Sequence, residues 1–277
     1  MPNFICTTCG TQHAESEQPP PVCAVCQDER QYVKVTGQQW TTLDKLRLTH
    51  RNSIRFEEPG LTGIGVEPHF AIGQRALLVR TANGNVLWDC VPLLDPALVE
   101  MVQALGGVSA IAISHPHYYT SMVEWSRALG GVPIHLHAAD RQWVMRPDQA
   151  IAYWDGDTKP LGDGLTLVRC GGHFEGGTIL HWRGGTGGKG AILAGDILQV
   201  VADRKHVSFM YSYPNYVPLS AAVVEQVVGA VEPFEYDRVY GAFWDTVIER
   251  DAKAAVSRSA HRYLRAIGAV RERPGQR

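Results

Sequence analysis

The sequence predicts an α/β (α+β) fold of layered sheets and helices, preceded by a small metal-stapled segment. Three observations carry this reading: strand-length apolar runs alternate with helical segments from about residue 76 onward, two CxxC pairs stand near the N-terminus, and histidines recur at strand ends. At 277 residues and 30.5 kDa the chain is long enough to bury a full core, with one large domain and a small appendage as the expectation.

Residues 1–35 form the first expected unit. Cys6-Thr7-Thr8-Cys9 and Cys23-Ala24-Val25-Cys26 are separated by thirteen residues, a spacing that suits one zinc held by four thiolates. The segment is too short to build a core of its own, so its metal is expected to act as a structural staple. A ribbon that recruits nucleic acid or a protein is the alternative. Glu15, Glu17, Asp28 and Glu29 outnumber Arg30 and Lys34, which argues against nucleic acid. Residues 36–60 read as a linker, and residues 61–277 as the main domain.

Within that domain, apolar runs at 76–80 and 86–89 flank Asn83-Gly84, a strong short-range hairpin signal. A helix over 95–105 is expected to start at Asp95 as N-cap, with Pro96 in its first position. A strand at 108–114, a helix at 121–129, a strand at 132–136 and a short helix containing Asp140, Arg141 and Trp143 follow. Strands are expected at 165–169, 178–182, 191–194 and 238–240, and helices at 220–231 and 246–269. Gly184 to Gly190 is not a phosphate loop, because Gly190 rather than Ser or Thr follows Lys189 and the segment joins two strands. Residues 209–219, with Tyr211, Tyr213 and Tyr216, read as a loop able to cover a pocket.

The chemistry concentrates in Ser114-His115-Pro116-His117-Tyr118-Tyr119-Thr120. In an extended segment residues i and i+2 project to one side, so His115 and His117 can share one metal. A hydrolytic zinc site needs about three protein ligands and an open position. His173, in Cys170-Gly171-Gly172-His173, and Asp196, which ends the run Ala191-Ile192-Leu193-Ala194-Gly195, are the further candidates. His135 and His137 alternate along a strand without a completing ligand pattern and read as packing or supporting groups. Glu124 and Asp140 are nearby acids able to replace a missing ligand, and Cys90 and Cys170 read as small buried hydrophobes.

Taken in order, the hairpin ending at Asp89, the HxH, the Gly-Gly-His and the Ala-Gly-Asp resemble the metallo-β-lactamase superfamily, the αββα sandwich hydrolases that include glyoxalase II. That family's full string is HxHxDH. The resemblance implies that His115, His117 and His173 form a first metal site and that Asp196 matches the aspartate shared between two metals. It also implies a broken second site: Tyr119 stands where an aspartate belongs, Thr120 where a histidine belongs, and Val239-Tyr240-Gly241-Ala242-Phe243-Trp244-Asp245 holds no histidine.

The leading expectation is a mononuclear zinc hydroxide attacking a carbonyl of an ester, thioester or lactone, with iron as the other metal for the histidine site. Asp196 is then a fourth ligand or the acceptor that orients water. Tyr118 or Tyr119 either donates to the developing oxyanion or fills the volume of the lost site. Two other functions stay open: a non-haem iron oxygenase of the persulfide dioxygenase type, and a catalytically inactive binding protein that uses the ribbon as its interaction surface. The formal net charge of -2 and pI near 6.6 give no electrostatic case for nucleic acid or an anionic membrane. No apolar run approaches the roughly 20 residues of a bilayer span and the start lacks a signal-peptide pattern, so the expectation is a cytoplasmic protein acting on a small molecule. The sequence leaves its oligomeric state open.

Overall fold

The computed structural model describes residues 1–270; residues 271–277, the end of the expected main domain, lie outside the described residues. The chain divides into two compact units, Met1–Asp155 and a second that begins at Gly156.

Among the described residues the first unit carries a three-stranded and a seven-stranded sheet. The smaller sheet pairs β1 (Asn3–Cys6) with β2 (Gln12–Glu15) on one side and β3 (Trp40–Thr41) on the other, and the second cysteine pair supplies the N-cap, Cys23, and one residue, Cys26, of the one-turn helix α1 (Ala24–Gln27). The linker expected at 36–60 is instead structured. It contains β3, helix α2 (Leu43–Thr49), whose N-cap Thr42 accepts from the Lys45 amide, and strand β4 (Arg51–Glu58), which pairs along its length with β5 (Leu61–Glu67). β4 lacks the alternation of a half-buried strand, because its only large apolar residues, Ile54 and Phe56, are exposed.

The larger sheet continues through β6 (Ala76–Val79), β7 (Val86–Trp88), β8 (Ala110–Ala112), β9 (Ile134–His137) and β10 (Ile151–Trp154), in the order β10-β9-β8-β7-β6-β5-β4. β6 and β7 form the expected antiparallel hairpin, and β7 to β10 run parallel. The crossovers are α3 (Pro96–Ala104), α4 (Met122–Ala128) and a 3-10 helix, Ala138–Trp143. Every residue of β6, β7 and β8 is buried, as central strands covered on both faces require.

Two side chains tie these elements together. Asp95 caps α3 by accepting from the Leu98 amide at 2.8 Å, and its other oxygen accepts from the Asn52 amide at 2.9 Å, which fastens α3 to β4. Asn85, just before β7, donates to the Leu105 and Gly107 carbonyls at the C-terminal end of α3 and accepts from the Thr81 amide.

The second unit opens with β11 (Thr158–Gly162), β12 (Leu165–Arg169), β13 (Thr178–Trp182) and β14 (Ala191–Gly195). The glycine-rich segment before β14 folds into a short helical turn, α5 (Gly185–Gly188). Residues 209–219, expected as a loop, carry strands: after the pair β15 (Gln199–Val200) and β16 (Val207–Ser208), β17 (Met210–Ser212) pairs with β18 (Val217–Pro218). Helix α6 (Ala221–Val231), β19 (Arg238–Gly241), β20 (Val247–Ile248) and α7 (Ala252–Ala266) complete the unit.

Its main sheet runs β11-β12-β13-β14-β19-β20 among the described residues. Val224, Val227 and Val231 of α6 and Ala252, Ala255, Val256 and Leu264 of α7 recur at helical spacing and share one core with Ile179, Ile192 and Val239 of the sheet. The helix expected from 246 starts later because Thr246 closes a tight turn with Phe243 and the next two residues pair with β19.

Replacing Asn85 by alanine removes the partner of two partly buried carbonyls and an amide. The expected loss is about 2–3 kcal/mol, read as a lower urea midpoint for unfolding of the full chain.

Candidate metal centres

The cysteine centre lies wholly in the first unit. Cys6, Cys9, Cys23 and Cys26 are buried and free, and their sulfurs all lie within 4.8 Å of one another. Cys6 and Cys26 are 3.6 Å apart, and Cys9 and Cys23 3.7 Å. A tetrahedral ion with thiolate bonds of about 2.3 Å needs sulfurs about 3.8 Å apart, so the spacing suits such an ion. Hydrogen bonds shared among the four thiols pull Cys23 and Cys6 below their ordinary range and push Cys9 and Cys26 above it. The Thr8 amide and the Gln38 side-chain amide donate to the Cys6 sulfur at 3.4 and 3.2 Å.

The histidine pair stands past the end of β8. The HxH spacing predicts an extended strand through His115 and His117. Only His115 is extended, with φ -170° and ψ 171°, and a 3-10 turn begins at Pro116, whose fixed φ and missing N–H suit the first helical position. The turn still brings the imidazoles together, with ring centroids 5.2 Å apart.

The tautomer of His115 follows from its neighbours. Asp89, buried at the end of β7, accepts from the Ser114 amide at 2.7 Å and from the Ser114 hydroxyl at 2.8 Å. Ser114 Oγ lies 2.9 Å from His115 Nδ1. The hydroxyl has one proton and the carboxylate can only accept, so Nδ1 is the donor to Oγ and Nε2 carries the lone pair a metal needs. Nothing in the sequence pattern alone assigns a role to Asp89 or Ser114; an Asp at a strand end, level with the residue before an HxH, is their one local signal.

His117 is buried, and burial, followed by the charge of Arg30, lowers its pKa to about 3 against the opposing effect of Asp28 and Cys23. It is therefore neutral at physiological pH, as a metal ligand must be. The charges acting on it come from the cysteine ribbon.

His173 and Asp196 belong to the second unit. His173 sits on a loop between β12 and β13 that glycines make possible. Gly171 and Gly172 have φ of +72° and +105°, and a Cβ on Gly177 would lie 2.0 Å from the Gly171 carbonyl oxygen. The loop is closed by the Cys170 and Gly171 amides, which both donate to the Gly177 carbonyl. Asp196 follows β14, and its carboxylate stands 3.6 Å from His173 Nε2. The Tyr213 hydroxyl donates to the Asp196 carbonyl at 2.9 Å, and its ring packs edge-on against His173 at 6.0 Å.

The remaining predicted residues take these places. Tyr118 is fully buried with its ring 4.4 Å from that of His115. Tyr119 is buried as well; burial and then the charges of Asp140 and Tyr153 push its phenol well above the usual range, so it stays protonated. Glu124 pairs with Arg146 at 2.5 Å. Asp140 lies buried on the 3-10 helix after β9. His137 caps that helix by accepting from the Ala139 amide and meets Trp154 edge-on at 4.6 Å. Cys90 and Cys170 are completely buried. Among the described residues no helix is long and apolar enough to cross a membrane.

The YmaE protein of Bacillus subtilis (strain 168) is 48% identical to this chain over 269 residues, 96% of this chain and 97% of that protein. The chain belongs to the YmaE family. No protein-family model matches it.

Solved structures share its fold. VMB-1 is 12% identical and matches over 78% of this chain and 98% of its own, with a TM-score of 0.59. The metallo-β-lactamase FIM-1 from Pseudomonas aeruginosa, in its mono-zinc form, is 13% identical over 76% and 95% of the two chains, with a TM-score of 0.57. The metallo-β-lactamase SMB-1 in complex with mercaptoacetic acid is 19% identical over 75% and 92%, with a TM-score of 0.52. This YmaE-family chain therefore has the mixed α/β fold of the metallo-β-lactamases.

A pH dependence follows from His117. The unfolded chain takes up a proton near the ordinary histidine value of about 6.5, whereas the folded chain refuses it until about pH 3. Folded stability from this residue is complete above the unfolded value and is lost progressively as pH falls through that window. Urea midpoints measured across it should fall with pH in the wild-type chain and fall less steeply in His117→Gln.

Proposed function

We propose that the chain is a metal-dependent hydrolase acting on a small-molecule carbonyl compound, an ester, thioester or lactone. In this reading His115, His117, His173 and Asp196 hold one metal, as the order of their motifs along the sequence implies. The observation that carries it is the donor set itself, three buried imidazoles and one buried carboxylate, with His115 presenting Nε2. Such nitrogen and oxygen donors suit zinc. When bound, zinc supplies a Lewis acid that lowers the pKa of water to about 7.

The chain's own residues have distinct tasks. Asp89, acting through Ser114, orients His115. Asp196 serves as a fourth ligand or as the acceptor that orients a water, and Tyr213 steadies its backbone. Tyr118 and Tyr119 are the donors proposed for the developing oxyanion, and a protonated Tyr119 is able to donate throughout the physiological range. One metal rather than two is supported by Tyr119 and Thr120, neither of which is a usual zinc ligand. The cysteine centre is proposed to hold a second, structural zinc. A β-lactam substrate does not follow from the fold, since one fold hosts many reactions. The free state of all six cysteines suits the reducing cytoplasm we propose for it.

The test is elemental analysis of the wild type and of the His115→Ala/His173→Ala variant, beside hydrolysis of a panel of esters, thioesters and lactones. Two zincs falling to one, with hydrolysis abolished, is the expected result. One zinc in both proteins would refute a histidine-dependent metal and favour a binding protein, and iron in place of the second zinc would favour an oxygenase.

A donor role for Tyr119 is tested separately. Tyr119→Phe should lower turnover about 100-fold with metal content unchanged; unchanged turnover would leave the ring as filler.

A further inference from the structure

The ribbon and the histidine segment belong to the same unit, and specific bonds join them. In β2 the Gln12 amide donates to the Thr120 carbonyl at 3.1 Å and the Ala14 amide to the Met145 carbonyl at 3.0 Å. The Gln12 side chain accepts from the Arg146 guanidinium. The same guanidinium donates at 2.5 Å to Glu124, on the helix that follows the histidine segment.

Thr120 needs an outside bond. Its φ is +36°, in a region that a β-branched residue rarely adopts and that persists only where the surroundings impose it. A second contact runs through the first cysteine pair. A Cβ on Gly10, the residue after Cys9, would lie 2.6 Å from the Pro92 ring, and the Pro92 carbonyl accepts from the Ser121 hydroxyl at 3.0 Å. A third runs through Arg30, held by Asp28 and stacked over Trp143 at 4.9 Å, with Trp143 and Met145 packed on the cysteine cluster.

The ribbon has only a small buried core of its own. Its buried hydrophobic cluster is Val25 and the four cysteines themselves, so its order depends on the ion those cysteines bind.

We propose that the four-cysteine ribbon is a positioning element of the histidine centre: with its own metal bound it holds residues 115–120 in their metal-binding conformation, and Gln12 is the residue that transmits this. The inference rests on the reading of His115 and His117 as metal ligands given above. It makes the two centres thermodynamically coupled. Losing the cysteine-site metal lowers the affinity of the histidines for theirs, with no residue shared between the two sets.

The experiment uses the full chain loaded with zinc or cobalt. Metal content is measured together with histidine-centre affinity, by competition against a chromophoric chelator, and the thiolate-to-cobalt charge-transfer band reports the cysteine centre separately. Cys23→Ser should lose metal from both centres. Because that variant risks misfolding, Gln12→Ala provides the second arm. It should keep the cysteine-centre band and bind metal at the histidines about 10-fold or more weakly, the scale of effects seen when groups supporting a ligand are removed.

Gln12→Glu retains an acceptor for Arg146 and should restore the affinity. Histidine-centre affinity unchanged in both Cys23→Ser and Gln12→Ala would overturn the proposal. A wild-type chain whose metal content does not fall in His115→Ala would overturn the reading beneath it instead, so the two failures are distinguishable.

Discussion

Asp89 ends β7 with φ +60° and its carboxylate buried, a placement that is tolerable only with hydrogen-bond donors supplied to it. Ser114 supplies two, and in doing so spends its only proton on the carboxylate, which leaves His115 Nδ1 to donate and Nε2 to present a lone pair. The alignment behind this is a matter of register. Trp88 pairs with Ala112, and the Asp89 amide donates to the Ala112 carbonyl at 2.8 Å. A one-residue slip of β8 against β7 would turn Ser114 to the other face and break the relay. The chemistry of the first histidine thus depends on a strand pairing, through one carboxylate.

The second unit solves the same positioning problem by different means. His173 is set by backbone: three glycines allow a loop that no side-chain-bearing residue could close, and the loop is bonded to itself through the Gly177 carbonyl. Gln226 of α6 adds an outside tether by donating to the Cys170 carbonyl at 3.0 Å. Asp196 follows Gly195, which also has positive φ, at +55°, and its carbonyl is anchored by Tyr213. A carboxylate relay lets a histidine's protonation state be chosen, whereas a glycine loop fixes only where the ring points. The two kinds of support therefore fail differently: damage to the first changes ligand chemistry, and damage to the second changes geometry.

Much of this was legible in the chain because its signals are local. Asn83-Gly84 marked the hairpin, Asp95-Pro96 marked the start of α3, and the strands at 165–169 and 178–182 fall where apolar runs placed them. The two CxxC pairs told of a shared centre by spacing alone. What stayed hidden depends on partners distant in sequence. β4 is an edge strand whose apolar side chains face solvent, so nothing in its pattern separates it from a linker. Thr246 looked like the beginning of a helix because the residues after it are helix formers, while its own hydroxyl is committed to closing a turn. Gln12 and Arg146 lie 134 positions apart, and no local motif announces that one will hold the other.

Under the proposed function, Tyr119 and Thr120 also have an electrostatic meaning. A histidine–carboxylate centre built for two dications needs enough negative charge to offset four positive charges in a buried space, and an aspartate at 119 would contribute one unit of it. Tyr119 contributes none, since burial keeps its phenol protonated. In the proposed centre, Asp196 alone faces a single dication, and the balance is one positive charge. That residual charge favours a ligand oxygen that becomes negative during reaction, which a carbonyl under attack provides, over a substrate that already carries several negative charges and calls for a second ion to share them. In the proposed one-metal centre, Tyr119 and Thr120 therefore narrow the chemistry as well as the stoichiometry.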